Sequence, residues 1–543
     1  MEILNHISKN FVLFGLGSEE SAIIQCVREL FENSKDAIKK MHLISNSKLF
    51  DGEIIIRLNN DQEIHNQIIL TVEDNGIGME SPISCLLCFN SLRVHDLSQE
   101  ETKEVSNKLE LNGKYGIGLS ACVLYSQLKS LGPYIHITSK FINKNYVETF
   151  DFKFDLSSGY PEVIQSNVVD MNINHGTLVK MMLPMNFKHR NFEKIHEALC
   201  LYIFRTQILP TNRCSIRFIL NLEFKDQIGE TFRSERKDVL QKAKNLDFKK
   251  DSFTEGEYRS MLVENFKSSI EKSESCKISG VSFVEDESGN SIKASAILIT
   301  DKRKNNREDG SFKPVSFELQ IWRFVNGTPL LDFVNDTVSC ELFKSVTSIN
   351  WTEYGHKLNF SMNGSKTGNS SINLEESYEL ILTPINEEYL PDELGILIPK
   401  VLIIFLDYNS DEGLTYYKIV KFRSTFNFSF IKVPFSGLQK TSLSQNEKIR
   451  RLVNRGVRNV MDRITKQSFG LFMSANKQFD HHALNVCIPS LASSIRKILS
   501  CQDNETKYTI NKIFNMNLFQ ENNNNSEDIE AFFSKKIKGI KSL

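Results

Sequence analysis

One helix sets the terms for everything that follows it. Between Ser18 and Met41, the residues Ile23, Val27, Leu30, Phe31, Ser34, Ala37, Ile38 and Met41 recur at a 3.6-residue period and form one stripe. At about 100° per residue, Glu29, Asn33 and Asp36 gather on the opposite side. A chain with this pattern lays its stripe on a sheet. It then offers a carboxylate, an amide and a second carboxylate to whatever lies above. Taken alone, such a polar row is equally a solvated helix face.

Two glycine-rich stretches downstream give the row a possible partner. Asp74-Asn-Gly76-Ile-Gly78-Met79 follows the apolar run from Ile68 to Glu73. Gly113-Lys114-Tyr115-Gly116-Ile117-Gly118-Leu119-Ser120 precedes a segment, Ala121 to Ser126, that reads as helix. A triphosphate needs backbone N–H donors, and glycines supply them by letting the chain approach closely. The second stretch is not a P-loop, because the Lys-Ser/Thr pair is missing, and no strand leads into Gly113 as a dinucleotide fingerprint requires. A structural turn is the competing reading.

The residue types match the remaining needs of a nucleotide. Magnesium takes hard oxygen ligands and few protein ones, and the Asn33 side-chain oxygen is such a ligand. Hydrolysis needs a carboxylate to orient and deprotonate water. Glu29 lies one helical turn before Asn33. Adenine needs an acceptor for its exocyclic amine, and Asp74 at the end of a strand fits. The competing reading of Asp74-Asn-Gly76 is a plain hairpin turn.

Composition bounds the rest. At 543 residues the chain has room for roughly three to four domains. Hydrophobic residues make up 40% and charged residues 24%, enough for sizeable cores. A net charge of −1 leaves no global footprint for nucleic acid, so any DNA contact must come from local basic patches. The ten cysteines show no framework; Cys85-Leu-Leu-Cys88 has no second pair to complete a zinc site. Reduced, buried thiols in an intracellular protein are expected. No secretory start is apparent. The most apolar run, Leu394 to Leu406, holds Pro399 and Lys400 and is too short to span a bilayer. A soluble protein with no membrane contact is expected.

In chain order, Phe11, Leu13, Phe14 and Leu16 are available to pack, and Ser18 is a candidate N-cap. Strands are predicted at 53–58, 68–73, 134–138, 147–154, 177–183 and 215–220. Residues 80–112 read as a lid or insertion. Residues 221–276 are charged and helical in pattern. Further strands are predicted at 291–299, 315–324, 378–382 and 401–406, then a basic helix from Ser444 to about Lys466 and another over 488–500. The fold class is α+β. The expected units are 1–220, a helical connector 221–276, a second α+β unit 277–470, and a C-terminal helical segment with a tail, 471–543.

These motifs resemble, in order, those of the GHKL (Bergerat) ATPases: Glu29…Asn33…Asp36, Asp74-x-Gly76-x-Gly78, Gly113-x-x-Gly116-x-Gly118 and His175-Gly-Thr177. The finer resemblance is to the B subunit of DNA topoisomerase VI, a type IIB enzyme. It is carried by Lys9 to Gly15, Gln25 to Leu30, Glu32-Asn-Ser34 and Gly116 to Gln127. Downstream it is carried by Arg323-Phe-Val-Asn-Gly-Thr-Pro-Leu-Leu331, by Ile349-Asn-Trp351 with Tyr354-Gly355, by Lys432-Val-Pro-Phe435 and by Ile488 to Ala492.

The resemblance implies a GHKL sandwich followed by a transducer domain. It makes Glu29 the general base and Asn33 the ligand of Mg2+. It has Asp36, Asp74, Gly76, Gly78 and Thr177 serve the ATP site and Gly113 to Ser120 wrap the phosphates. Lys432 would reach the terminal phosphate from the second domain; without its Val-Pro-Phe context it reads as a solvated strand-end lysine. The resemblance also implies self-association through the ATPase domain, a heterotetramer of two A-type and two B-type subunits, double-stranded DNA as substrate, and a nuclear location in a eukaryote or a cytoplasmic one otherwise. Two departures stand out. The family's helix-two-turn-helix domain is not recognisable in 221–276, and the segment 80–112 does not align with the family's lid. They keep open an alternative, a B-like regulatory subunit of the meiotic DNA double-strand-break complex with little or no ATP turnover. A DNA contact and a solvated face both remain open for the basic helix at 448–463.

Overall fold

The computed structural model describes residues 2–45, 51–60, 67–82, 118–130, 135–158, 160–169, 175–185, 189–208, 216–225, 231–239, 255–269, 276–287, 290–301, 311–312, 315–325, 327–331, 334–363, 377–385, 390–391, 398–410, 418–422, 425–429, 447–468, 490 and 493–494. The amphipathic segment forms one helix. A short helix α1 (Glu2–Lys9) and a 3-10 turn (Phe11–Phe14) lead into α2 (Glu19–Ser45). Ser18 caps it as expected. The Ser21 N–H donates to Ser18 Oγ at 3.2 Å and the Ser18 N–H to Ser21 Oγ at 3.0 Å, so two groups at the helix entry satisfy each other.

The helix lies on a sheet built from β1 (Gly52–Asn60), β2 (Gln67–Asp74), β3 (Ile135–Lys140), β4 (Val147–Phe154), β5 (Pro161–Val169), β6 (Gly176–Pro184), β7 (Ile216–Lys225) and β8 (Thr231–Val239). Their spatial order is β5-β4-β3-β6-β2-β1-β7-β8. Every pairing is antiparallel except β1 with β7. Helices α3 (Gly118–Lys129) and α4 (His189–Ile208) share the covered face with α2. Ile23, Val27, Leu30, Phe31 and Ile38 of the stripe enter one core with Ile54, Ile56 and Leu58 of β1 and Ile68, Leu70 and Val72 of β2.

The expectation for 221–276 needs correction. Its first part is strand: β7 and β8 pair from Arg217↔Val239 to Lys225↔Thr231 and extend the first sheet past residue 220. Helix in this stretch is confined, among the described residues, to α5 (Glu255–Ser269). A charged sequence such as Thr231 to Val239 suits the outer strand of a sheet, where charge discourages pairing with other chains.

The second layer contains β9 (Cys276–Glu287), β10 (Asn290–Asp301), β11 (Ser311–Phe312), β12 (Phe317–Val325), β13 (Thr328–Pro329), α6 (Val334–Ser339), α7 (Glu341–Thr347), β14 (His356–Asn363), β15 (Ser377–Pro384), β16 (Leu390–Pro391) and β17 (Ile398–Ser410). A hairpin β18 (Lys418–Phe422) and β19 (Thr425–Ser429) and the helix α8 (Glu447–Gln467) follow. The sheet runs β14-β15-β12-β17-β10-β9, with β13 beside β12. Alternate residues face two cores. Ala294, Ala296 and Leu298 of β10 pack with Val453, Val457 and Met461 of α8. Ile297 and the rings of Trp322 and Phe405 face the other way, toward α5 and the end of α4.

The expected α+β architecture is therefore present, as two sheets each carrying helices. The predicted helix at 488–500 lies outside the described residues, apart from Ser490, Ser493 and Ser494. Among the described residues no helix is long and apolar enough to cross a membrane.

Candidate functional site

Three segments that are remote in sequence converge on the middle of α2. The first is the end of β2. Asp74 is buried, and its carboxylate accepts hydrogen bonds from the Ser34 hydroxyl at 2.8 Å and the Gly76 N–H at 2.9 Å. Burial pushes this carboxyl up to about 7, against the pull of the Gly76 N–H, the Ser34 hydroxyl and the Thr177 N–H. A carboxylate at the edge of ionisation, held by three donors, is an acceptor ready for an external N–H.

The turn after Asp74 can be built only with glycine. At Gly76 an added Cβ would lie 2.7 Å from Ala37 Cβ on α2. Gly78 has φ of +78°, and its Cβ would lie 2.1 Å from the Lys140 carbonyl oxygen. The turn is also bonded in place. The Ile77 N–H donates to the Ala37 carbonyl at 3.3 Å, and the Ile142 N–H donates to the Ile77 carbonyl at 3.0 Å. The Met79 N–H donates to Ser139 Oγ at 2.8 Å, and Lys144 Nζ donates to the Glu80 carbonyl at 2.9 Å.

The second segment, His175-Gly-Thr177, closes the same turn. His175 Nδ1–H donates to the Gly76 carbonyl at 2.7 Å. Thr177 pairs with Asp74 across β2 and β6, and its hydroxyl lies 3.2 Å from Ser139 Oγ.

One turn up α2, half-buried Glu29 meets the start of α3. A Cβ on Gly118 would sit 2.0 Å from Glu29 Oε2, so the carboxylate rests directly on the glycine. Its other oxygen accepts from Gln25 Nε2 at 2.9 Å and faces Arg28 NH2 at 3.3 Å. Asn33, one turn on, is half-buried. Asp36 departs from the expected open row: it is buried, because α2 is enclosed on more sides than a surface helix. Leu119 and Ser120 are buried in the first turn of α3. Gly113, Lys114, Tyr115, Gly116, Ile117 and Lys432 lie outside the described residues.

Ser34, Ala37, His175 and Ser139 also belong to this constellation. Ser34 and Ala37 were hidden in the apolar stripe. His175 stood in a quoted motif without a role. Ser139 carries no signal in the sequence.

No protein-family model matches the chain. Among curated proteins it is similar to the B subunit of Type 2 DNA topoisomerase 6 from Metallosphaera sedula, at 31% identity over 205 residues, 37% of this chain and 34% of that protein. The corresponding protein of Saccharolobus solfataricus is 30% identical over 202 residues, again 37% and 34%. That of Natronomonas pharaonis is 27% identical over 203 residues, 37% and 22%. Over the matched residues the chain is similar to these B subunits. The matched stretch spans about a third or less of those relatives' length. Among solved structures the chain is similar to the N terminal domain of a DNA repair protein, at TM-score 0.35 and 12% identity, covering 84% of this chain and 96% of that one. The 43K ATPase domain of Thermus thermophilus gyrase B has TM-score 0.31 and 14% identity, covering 89% and 98%. The Asp74 carboxylate, bonded to Ser34, and the Gly118 end of α3, against Glu29, both meet the middle of α2.

Proposed function

We propose that the chain is the ATP-binding and hydrolysing B-type subunit of a topoisomerase VI-like enzyme. The observation that supports this best is the convergence on α2: Asp74 bonded to Ser34, the Gly76 turn bonded to Ala37, and Glu29 resting on Gly118.

The residue types fit a magnesium-bound nucleotide. Asp74 is a buried acceptor suited to an exocyclic amine, and Gly76, Gly78 and Gly118 let the chain close tightly on Ala37, Lys140 and Glu29 around it. In this reading Asp74 accepts from the adenine amine while Thr177, Ser139 and His175 hold its surroundings fixed. Gly113 to Ser120 would offer main-chain N–H groups to the phosphates. The Asn33 side-chain oxygen would hold magnesium, which would supply positive charge to offset that of the phosphates. Glu29 orients a water and takes its proton. Gln25 and Arg28 fix the carboxylate's direction. Lys432, from the second unit, contacts the terminal phosphate. Asp36 contributes from within the helix.

At the level of the assembly, two copies associate through the first unit, pair with two A-type subunits and act on duplex DNA, in the nucleus if the cell is eukaryotic. The expected units, with the first sheet extended to Val239, remain the working division of the chain. The test is to co-purify the chain with its A-type subunit and assay supercoiled plasmid with and without ATP. ATP-dependent relaxation supports the proposal. Linear product alone points to the break-forming alternative, and no ATP dependence in either product overturns the ATPase reading.

A further inference from the structure

Among the buried charged groups the proposed site leaves unused, Glu32 sits between the reacting residues. Glu32 lies three residues after Glu29 and directly before Asn33, and it is buried. It forms an ion pair with Lys35 Nζ at 2.6 Å. It also accepts a hydrogen bond from the Tyr202 hydroxyl of α4 at 2.6 Å. Glu32 thereby ties the middle of α2 to α4 through a single buried side chain.

Helix α4 carries the contact onward. Tyr202 belongs to the first core, but Phe204 and Arg205, within one turn of it, meet the second sheet. The Arg205 guanidinium stacks over the Trp322 ring of β12 at 5.0 Å, and the Phe204 ring meets the same indole edge-on at 5.7 Å. The far end of α4 is tied down as well, since Asn265 Nδ2 of α5 donates to the Ile208 carbonyl at 3.0 Å.

We propose that Tyr202 is a positioning residue for the nucleotide site, and that α4 is a strut linking the α2 segment carrying Glu29 and Asn33 to the packing of Trp322 in the second sheet. The proposal rests on the nucleotide reading of the α2 site. Every joint along the strut is a direct contact: α2 to Tyr202 through Glu32, and α4 to Trp322 through Phe204 and Arg205. Binding that shifts α2 then shifts the Trp322 environment. Because linkage is reciprocal, loosening α4 weakens binding.

The chain has two tryptophans, Trp322 and Trp351, so a Trp322→Phe chain serves as the optical blank. The full-length chain is titrated with magnesium and a non-hydrolysable ATP analogue, following calorimetry and tryptophan emission in parallel. Saturation should change the emission of the wild type and not of the blank. Tyr202→Phe should remove most of that change and weaken the analogue by about fivefold, at the low end of measured coupling between sites. Phe204→Leu, which spares the Tyr202 bond, should remove the change with a smaller loss of affinity. Circular dichroism and melting confirm that each variant folds. Analogue binding with unchanged Trp322 emission overturns the strut while leaving the nucleotide site standing. So does a folded Tyr202→Phe that matches wild type in both readouts. No analogue binding by calorimetry overturns the nucleotide reading, and the strut with it.

Discussion

The Glu29 carboxylate lies against the α-carbon of Gly118: a methyl group built there would come within 2.0 Å of Oε2. The general base of the proposed reaction is thus held by the residue that opens the α3 helix. Gly118→Ala should push the carboxylate aside without unfolding α3. We expect ATP turnover to fall by about a hundredfold, the cost of a misplacement of about 1 Å. Steady-state kinetics alongside circular dichroism measures it. Unchanged turnover in a folded variant would detach Glu29 from the chemistry.

Asp74 makes nucleotide binding depend on pH. Its carboxyl titrates near 7 because burial disfavours the charge. The adenine amine needs the ionised form, so affinity should rise as pH climbs through 7 and weaken by about tenfold for each unit below it. Asp74→Asn should flatten the profile. The unliganded protein behaves in the opposite sense. An acid whose folded value is raised favours the fold below its unfolded value near 3.8, and that contribution is lost as pH rises through about 7. Calorimetric titrations and melting curves between pH 5 and 8 test both signs.

The turn after Asp74 should tolerate no side chain at Gly78. Alanine there would meet both the φ of +78° and the Lys140 carbonyl oxygen 2.1 Å away. The backbone strain alone costs about 1–3 kcal/mol, and the clash adds to it. A lower urea midpoint in Gly78→Ala, with nucleotide binding lost, is the expected outcome. A wild-type midpoint would show that the turn is not built as described.

Lys144 ties the end of the same turn by donating to the Glu80 carbonyl, and it is braced by Glu148. Lys144→Met should raise the apparent KM for ATP several-fold and leave kcat nearly unchanged, because the chemistry at Glu29 is untouched. Equal losses in both constants would argue against a role confined to the base pocket.

The basic helix offers a contrast of another kind. Arg451 pairs with Glu447 at 3.1 Å. Arg450 faces Glu341 at 3.8 Å and Glu447 at 3.9 Å. Arg455 pairs with Glu285 at 2.9 Å and with Glu287. With carboxylates already beside them, these arginines should release few counterions from DNA. Neutralising all three should leave the salt dependence of duplex binding unchanged. A slope shallower by about one for each arginine would make α8 a DNA face.

The parts legible in the sequence were those where one physical demand dominates. The apolar stripe of α2 enters one core, and β2 and α8 each bury a single face, so their periods survive in the residue order. Several strands were not legible, β5, β8, β9 and β14 among them. β5 opens on Pro161 and exposes most of its residues, including Ile164 and Val168, at the outer end of the sheet. β8 is too charged to suggest a strand. Glu32, Lys35 and Tyr202 stayed hidden for a different reason. Their burial depends on α4, whose approach to α2 is fixed by contacts 170 residues apart in sequence. The same enclosure buries Asp36, which local periodicity had placed on an open face.

The most direct test of the whole account compares wild type with Glu29→Gln. It measures ATP turnover and, by calorimetry, binding of a non-hydrolysable analogue with magnesium. Turnover should fall by about a hundredfold or more, in the range of general-base removal, while the dissociation constant stays within about threefold. Undiminished turnover in Glu29→Gln, or a wild-type chain that binds no nucleotide, would contradict it.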